Sequence, residues 1–391
     1  MRILLLCVFA FSFGFANHSH KVVKVLLEKD LSGVLVETRG CVDLYDLKAE
    51  KNLETANHSK RFWMYLDKSG LYWGKKFFNV MHLAFLPKNS QSYVLVNGIQ
   101  YKGAVLVFGY LDKLTVVNAV SIEEYVSSIL SDRQRQPLEF EAMCALAIAM
   151  RTHAVYSIEE HQRDTFHVDA KDVSYKGHAV TYQKMGIEEA VLSTKSLVMQ
   201  STKGDVVFGF CTDFSENCAG STIPYHLIYR KDTKDLSKSV ESVYAKQARE
   251  QSKWEAILDL DVLKQETGLD QISQIKPFVD PQSQKVYGLR ISSETEFKDL
   301  DFLTLQKLYG KETLLSSDFF IHDIGKNTLH IVGFGRGTGV GLCVFSANEM
   351  AKLGTKAHKI LNHFFPETRI EKIDRIQSIV KEETIELQVQ D

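Results

Sequence analysis

Through the first third of the chain apolar residues alternate with polar ones in short runs, each ended by glycine or a polar turn. A period of two is the pleat of a half-buried strand, so strands are expected over 22–27, 33–37, 41–44, 62–66, 93–96, 104–108 and 114–117. Gly98, Gly103, Gly109 and the Asp67-Lys68-Ser69-Gly70 stretch supply turns between them. Trp63, Tyr65, Tyr72 and Trp73 alternate with polar residues in this region. Such a pattern builds either a half-buried core or a surface on which sugar rings stack, and core is the commoner outcome.

The period changes at Ser121. Ser121-Ile122-Glu123-Glu124 has the arrangement of a capping box, which predicts a helix start. A second helix is expected to begin near Pro137, whose fixed φ suits a first turn, and to run through Val155. It is alanine-rich and apolar on nearly every side, so it should be buried, with its small residues admitting close neighbours. Strand-like runs return over 166–223, including 196–199 and 205–210. The stretch 227–317 is more polar, with helices expected at 254–263 and 303–309 and a strand at 286–292, and it reads as an inserted or flanking lobe. The last region, 321–370, holds glycines at every second place from Gly333 to Gly341, then helices at 345–353 and 356–364. No repeat of solenoid length interrupts this order.

A length of 391 residues with 45% hydrophobic and 25% charged composition suits two or more packed units. The formal net charge of −2 gives no surplus of cations to displace counterions from a phosphate backbone, which argues against a nucleic-acid partner. The glycine stretch lacks the Lys-Ser/Thr of a phosphate loop and any surrounding βαβ unit, which argues against a nucleotide. Residues 1–16 place Arg2 before an apolar run that ends in small residues, as a secretory signal peptide does, with cleavage expected after Ala16. After cleavage Cys41, Cys144, Cys211, Cys218 and Cys343 remain, too few for a disulfide scaffold in a chain this long. Only Cys211 and Cys218 are close in sequence, as core thiols or as a local disulfide. No spacing supports a closed zinc site, so neither metal nor cofactor is expected.

Several separated blocks, taken in order, resemble the SpoIID/LytB family. Tyr101-Lys102-Gly103 is similar to its "Y-x-G" turn, and the run from Leu114 through Asn118 to Glu123-Glu124-Tyr125 to its "V-N" strand and "E-E-Y-L" helix start. The run from Glu141-Ala142 to Arg151-Thr152-His153-Ala154 resembles its "E-A-L-K-A-Q-A-V-A-A-R-T-Y-A" helix. Tyr175-Lys176-Gly177, Ala190 to Thr194, and Phe214 to Thr222 are similar to "Y-x-G", "A-V-x-x-T" and "F-H-x-x-C-G-G-x-T". Gly337-Thr338-Gly339-Val340-Gly341-Leu342-Cys343, Met350-Ala351 with Gly354, and Ile360 to Pro366 resemble "G-H-G-V-G-L-C-Q", "M-A-x-x-G" and "I-L-x-H-Y-Y-P".

The resemblance implies an α+β fold: a β-rich N-terminal region, 17–100, packed on a mixed α/β SpoIID-like core, 101–370, with an inserted helical lobe near 227–317 and a tail at 371–391. It also implies an exported protein of the periplasm or cell envelope that acts on peptidoglycan glycan strands. Family members either cleave those strands as lytic transglycosylases or enhance a partner N-acetylmuramoyl amidase. Cleavage requires a carboxylic acid that protonates the glycosidic oxygen. Aligned without a gap, the family's acid falls on Arg133, and a guanidinium cannot donate that proton. Asp132 is the neighbouring candidate acid, with Glu139 and Glu141 further along. The family's histidines fall on Thr338 and Ser221, and its glutamine on Val344, whereas the glycines and the Arg151-Thr152 pair stand. The expected substrate contacts are Arg133, Arg151, Thr152, Tyr175, Gly337, Thr338, Gly339 and Gly341, with glycan carboxylate and hydroxyl oxygens met by guanidinium groups. Shape-giving residues are kept while acid-base ones are lost, so the sequence favours a glycan-binding module that positions or stimulates another hydrolase over a lyase using Asp132.

Overall fold

The computed structural model describes residues 22–133, 137–178, 186–202, 213–230 and 238–373, leaving out the side chain of Arg133. The expected signal peptide, the 205–210 strand and Cys211 lie outside the described residues. The chain divides into two compact units, Met1–Pro137 with Ala154–Lys195, and Leu138–His153 with Ser196–Asp391. Both helices and strands contribute, in an α+β arrangement.

The first unit opens with β1 (Val22–Leu31), β2 (Val34–Arg39), β3 (Val42–Asp46), β4 (Lys51–Ala56), β5 (Lys60–Asp67) and β6 (Gly70–Trp73). It continues with β7 (Lys76–Phe78), β8 (His82–Pro87), β9 (Tyr93–Val96), β10 (Ile99–Tyr101), β11 (Ala104–Tyr110) and β12 (Lys113–Ser121). Helix α1 (Ile122–Arg133) follows, then the long α2 (Phe140–Glu160), which enters this unit at Ala154, then β13 (Val168–Asp169), α3 (Ala170–Val173) and α4 (Ile187–Ser193). The strands form a seven-stranded sheet, β13-β1-β12-β11-β8-β3-β4, and a six-stranded sheet, β10-β9-β2-β5-β6-β7. Val22 pairs with Ser121, so β1 and β12 share one antiparallel ladder and this sheet runs across the boundary expected at residue 100. Alternation does the sorting: Leu26, Leu47, Ala84, Leu106 and Val117 meet in one apolar cluster, as a period of two requires.

Helix α1 starts where its capping box predicts, with Ser121 Oγ accepting from the Glu124 amide at 3.3 Å. The second helix, expected to begin near Pro137, starts three residues later. Its first residue is Phe140, and the Glu139 amide instead donates to Asn348 Oδ1 at 2.7 Å within the second unit.

That unit contains the first part of α2 and then β14 (Leu197–Ser201), β15 (Phe214–Ser215), α5 (Tyr225–Tyr229), α6 (Val243–Gln247), β16 (Lys253–Asp259), α7 (Leu260–Thr267), β17 (Gln274–Val279), β18 (Val286–Ser292) and β19 (Phe297–Asp301). It ends with α8 (Phe302–Tyr309), β20 (Phe319–Ile324), β21 (Thr328–Phe334), β22 (Leu342–Cys343), α9 (Val344–Lys352), α10 (Ala357–Phe364) and β23 (Thr368–Lys372). The helix expected at 254–263 is half strand. Lys253–Asp259 pairs with β21 from Lys253↔Phe334 to Asp259↔Thr328, and only then does Asp259, accepting from the Asp261 amide, cap α7. The expected strand at 286–292 is β18, the centre of an antiparallel β17-β18-β19 sheet. Among the described residues no helix is long and apolar enough to cross a membrane.

Candidate functional site

In the first unit three of the motif blocks converge on one buried hydrogen bond. The Tyr175 hydroxyl donates to Asn118 Oδ1 at 2.6 Å, and Asn118 Nδ2 donates to the carbonyls of Lys102 and Ala104, each at 2.9 Å. Tyr125 stacks on Tyr175 with centroids 5.8 Å apart. Burial, then the neighbouring Tyr101, holds the Tyr175 hydroxyl well above its ordinary titration range. A buried polar group needs its partner, so Tyr175, expected at the substrate, ties strands to the loop that follows α3. Of its two successors Lys176 faces outward and pairs with Asp132 at 2.8 Å, whereas Gly177 is buried and its carbonyl accepts from Ser128 Oγ at 2.6 Å. Asp132 lies in the last turn of α1, half-buried, with Arg133 ending the helix.

The same unit presents an aromatic face that the sequence left open between core and sugar platform. Trp73 belongs to the core: it is 2% exposed and its Nε1 donates to the Val36 carbonyl at 3.1 Å. Trp63 is 52% exposed. A β-carbon at Gly33 would stand 2.3 Å from its Nε1 and 2.6 Å from Cε2, so the indole lies against bare backbone with its outer side to solvent. On the same side of the sheet, Tyr65, Tyr72 and Phe77 sit opposite one another on β5, β6 and β7, with centroids 5.0 and 4.9 Å apart.

In the second unit the remaining blocks meet. Arg151 and Thr152, expected as substrate contacts, are fully buried. Arg151 Nη1 donates to the Leu197 carbonyl at 3.1 Å, and Thr152 Oγ1 accepts from the Met199 amide at 2.9 Å. These side chains hold β14 on α2. They offer no surface to a polymer, because a long, apolar helix needs polar side chains wherever a strand end brings bare amides against it.

The glycine stretch is a close-packed crossing. Gly337, Gly339 and Gly341 all have positive φ, and a β-carbon at Gly341 would stand 1.9 Å from the Asp213 carbonyl oxygen. Thr338 Oγ1 donates to Asp213 Oδ2 at 2.9 Å, Tyr229 OH to the same oxygen at 2.5 Å, and the Phe214 amide to Asp213 Oδ1 at 2.7 Å. Burial, then the Asp213 charge, pushes the Tyr229 hydroxyl well up. β15 and β22 pair in parallel here, Ser215 opposite Cys343. Behind them Lys285 donates to the Cys218 carbonyl at 2.7 Å and pairs with Asp318 at 2.8 Å, while Arg249 pairs with Asp318 through Nη2 at 2.7 Å and lies 4.1 Å over the Phe334 ring.

The candidate acid and the expected substrate contacts thus fall in both units: Asp132, Arg133 and Tyr175 in the first, Arg151, Thr152, Thr338 and the glycines in the second. Sequence reasoning passed over Asp213, Tyr229, Lys285 and Asp318. Their only signal in the sequence is charge or hydroxyl type next to a motif block, which is too common to single them out.

The stage II sporulation protein family, SpoIID, matches residues 110–200, which cover β12, α1, α2 and the Tyr175 loop. An uncharacterized protein of Chlamydia muridarum is 33% identical over 189 residues, 46% of this chain and 64% of that protein. One of Chlamydia pneumoniae is 31% identical over 188 residues, 47% of this chain and 68% of its own length. One of Brachyspira hyodysenteriae is 25% identical over 381 residues and covers 93% of this chain and 96% of its own.

Proposed function

The chain belongs to the SpoIID family of stage II sporulation proteins, with the cell-wall-related role that membership suggests, and from that premise we propose that it is an exported cell-envelope protein that binds peptidoglycan glycan strands. In this reading it positions or stimulates a partner hydrolase, an N-acetylmuramoyl amidase, and does not cut the glycan itself. One observation carries it: where a glycan lyase needs a proton donor, the chain has Arg133, and the adjacent Asp132 is engaged with Lys176 at 2.8 Å. An ion-paired carboxylate oxygen serves as an acceptor, and protonating a glycosidic oxygen requires a donor. The exposed indole of Trp63 supports the binding half, since a flat apolar ring with one face to water suits the C–H face of a sugar. The buried anchoring of Arg151 and Thr152 supports a fold kept for shape.

The test uses the purified full chain with glycan strands, both carrying and stripped of stem peptides. Co-sedimentation without anhydromuramyl products by mass spectrometry, together with a faster amidase reaction on the peptide-bearing strands, is the expected result. Anhydromuramyl products that vanish in Asp132→Ala would establish the lyase instead. Neither binding, product nor amidase stimulation would remove the glycan from the account.

A further inference from the structure

We propose that Cys218 and Cys343 form a disulfide when the protein matures in an oxidising compartment, covalently joining the Asn217–Gly220 turn to the end of the glycine stretch. The two residues are 125 apart in sequence, yet the Cys218 amide donates to Cys343 Sγ at 3.3 Å and the two thiols hydrogen-bond to each other. Both side chains are buried, at 1% and 0% exposure, and both stand as thiols in the structure. Ser242 and Ser346, whose hydroxyls bond at 2.6 Å, supply the polar atoms around them.

The backbone is already fixed for a cross-link from both sides. β15 and β22 run in parallel register with Ser215 opposite Cys343, and Asn217 forms a bridge with Arg336. The turn that carries Cys218 is held by Lys285 on its carbonyl, and it continues through Ala219 and Gly220, both at positive φ. With the Cys218 amide 3.3 Å from Cys343 Sγ, this frame holds the two residues close enough for their side chains to be cross-linked. Burial alone would push the Cys343 thiol up, but the hydrogen bonds from the Cys218 thiol and amide bring it down to about 6. The Cys218 thiol is pushed up by its bond to Cys343 and then by burial. Cys343 is therefore the sulfur that ionises, and it is the nucleophile.

The chemistry is an exchange with a donor disulfide, either a small-molecule disulfide or that of a thiol oxidoreductase, while the region is still closing and open to it. The Cys343 thiolate attacks one donor sulfur and expels the other as a thiolate. Cys218 then gives its proton to a departing thiolate and attacks the Cys343 sulfur, releasing the second donor thiol. Two protein thiols lose two electrons and the donor disulfide gains them. Closing a loop this long restricts the unfolded chain strongly, so the bond should raise Tm by on the order of 10 °C.

The test is redox-buffered refolding of the full chain in glutathione disulfide and glutathione, with a parallel sample expressed into an oxidising bacterial periplasm. Free thiols are then alkylated in denaturant and the peptides mapped without reductant. The expected result is one linked peptide pair, Cys218 with Cys343, in both samples, with a Tm that falls on reduction. Cys211→Ser keeps the link, and the double variant Cys218→Ala with Cys343→Ala shows no change of Tm with reductant. Alkylation of both Cys218 and Cys343 at every glutathione ratio and in the periplasmic sample would overturn the proposal. So would a Cys211–Cys218 link in their place. Neither readout involves glycan, so failure here leaves the proposed function standing.

Discussion

Lys285 and Asp318 form an ion pair almost wholly withdrawn from water: Nζ to Oδ2 is 2.8 Å and the side chains are 1% and 7% exposed. Asp318 has a second cation in Arg249, whereas Lys285 has Asp318 and the Cys218 carbonyl. That asymmetry sets the first prediction. Asp318→Ala strands a buried ammonium and should cost about 3–5 kcal/mol, and Lys285→Met, which leaves Asp318 paired to Arg249, distinctly less. Urea denaturation of the two variants checks the order; equal losses would refute it.

Trp63 and Trp73 separate binding from stability. Trp73→Ala opens a cavity in a packed sheet and should cost about 3–5 kcal/mol. Trp63→Ala should change stability by less than about 1 kcal/mol and weaken glycan binding about tenfold, roughly 1.4 kcal/mol. Co-sedimentation beside thermal unfolding reads both. Unchanged binding in Trp63→Ala would clear this face of any role.

Two glycines with similar φ should respond very differently to alanine. At Gly341, φ +73°, the new β-carbon meets the Asp213 carbonyl at 1.9 Å; at Gly354, φ +82°, nothing lies within 4 Å. Gly354→Ala should cost only the left-handed penalty, about 1–2 kcal/mol. Gly341→Ala should cost more, because the β15–β22 crossing must open. Loss of soluble protein for Gly341→Ala with normal yield for Gly354→Ala is the expected outcome.

The first unit carries a buried histidine and a half-buried glutamate with opposite pH signatures. Burial, followed by the charge of Lys24, lowers His167 to about 3 from 6.5, and its Nδ1 accepts from the Lys24 amide at 3.1 Å. The unfolded chain takes up that proton and the folded one does not, so this stability is present above pH 6.5 and is lost as pH falls toward 3. Glu159 behaves in reverse. Burial raises it to about 8 from 4.5, and among the described residues its Oε1 has no hydrogen-bond partner. Its contribution is full below pH 4.5 and is lost as pH rises toward 8. Glu159→Gln should therefore raise Tm at pH 8 and leave it nearly unchanged at pH 4.5, as a pH series of thermal melts would show. A gain of equal size at both pH values would contradict the assignment.

Where a local rule governs, the sequence and the structure coincide. β9 occupies the expected 93–96, α1 begins on the Ser121 cap, and α9 and α10 lie within a residue of the expected 345–353 and 356–364. The errors arise where a long-range partner overrides the local pattern. Lys253–Asp259 has enough helix formers to suggest a helix, and it is a strand because β21 supplies a ladder. Pro137 has the φ of a first helical turn, yet the helix waits until Phe140 while the Glu139 amide bonds to Asn348.

The candidate site divides in the same way. The motif blocks themselves were legible, because residue type alone decides them. Whether a side chain faces solvent or the core was not legible. Arg151, Thr152 and Tyr175 have the chemistry of ligand contacts, but the fold turns each onto backbone or a buried amide. Trp63 and Trp73 are chemically identical, and only the sheet registers place one over Gly33 and the other beneath Val36. The pairing of Cys218 with Cys343 was equally out of reach, since a contact across 125 residues leaves no trace in local spacing. Sequence determines the local conformational menu and the chemistry available; tertiary packing alone decides which of those groups meet and which remain in water, because burial is a property of the whole chain's closure.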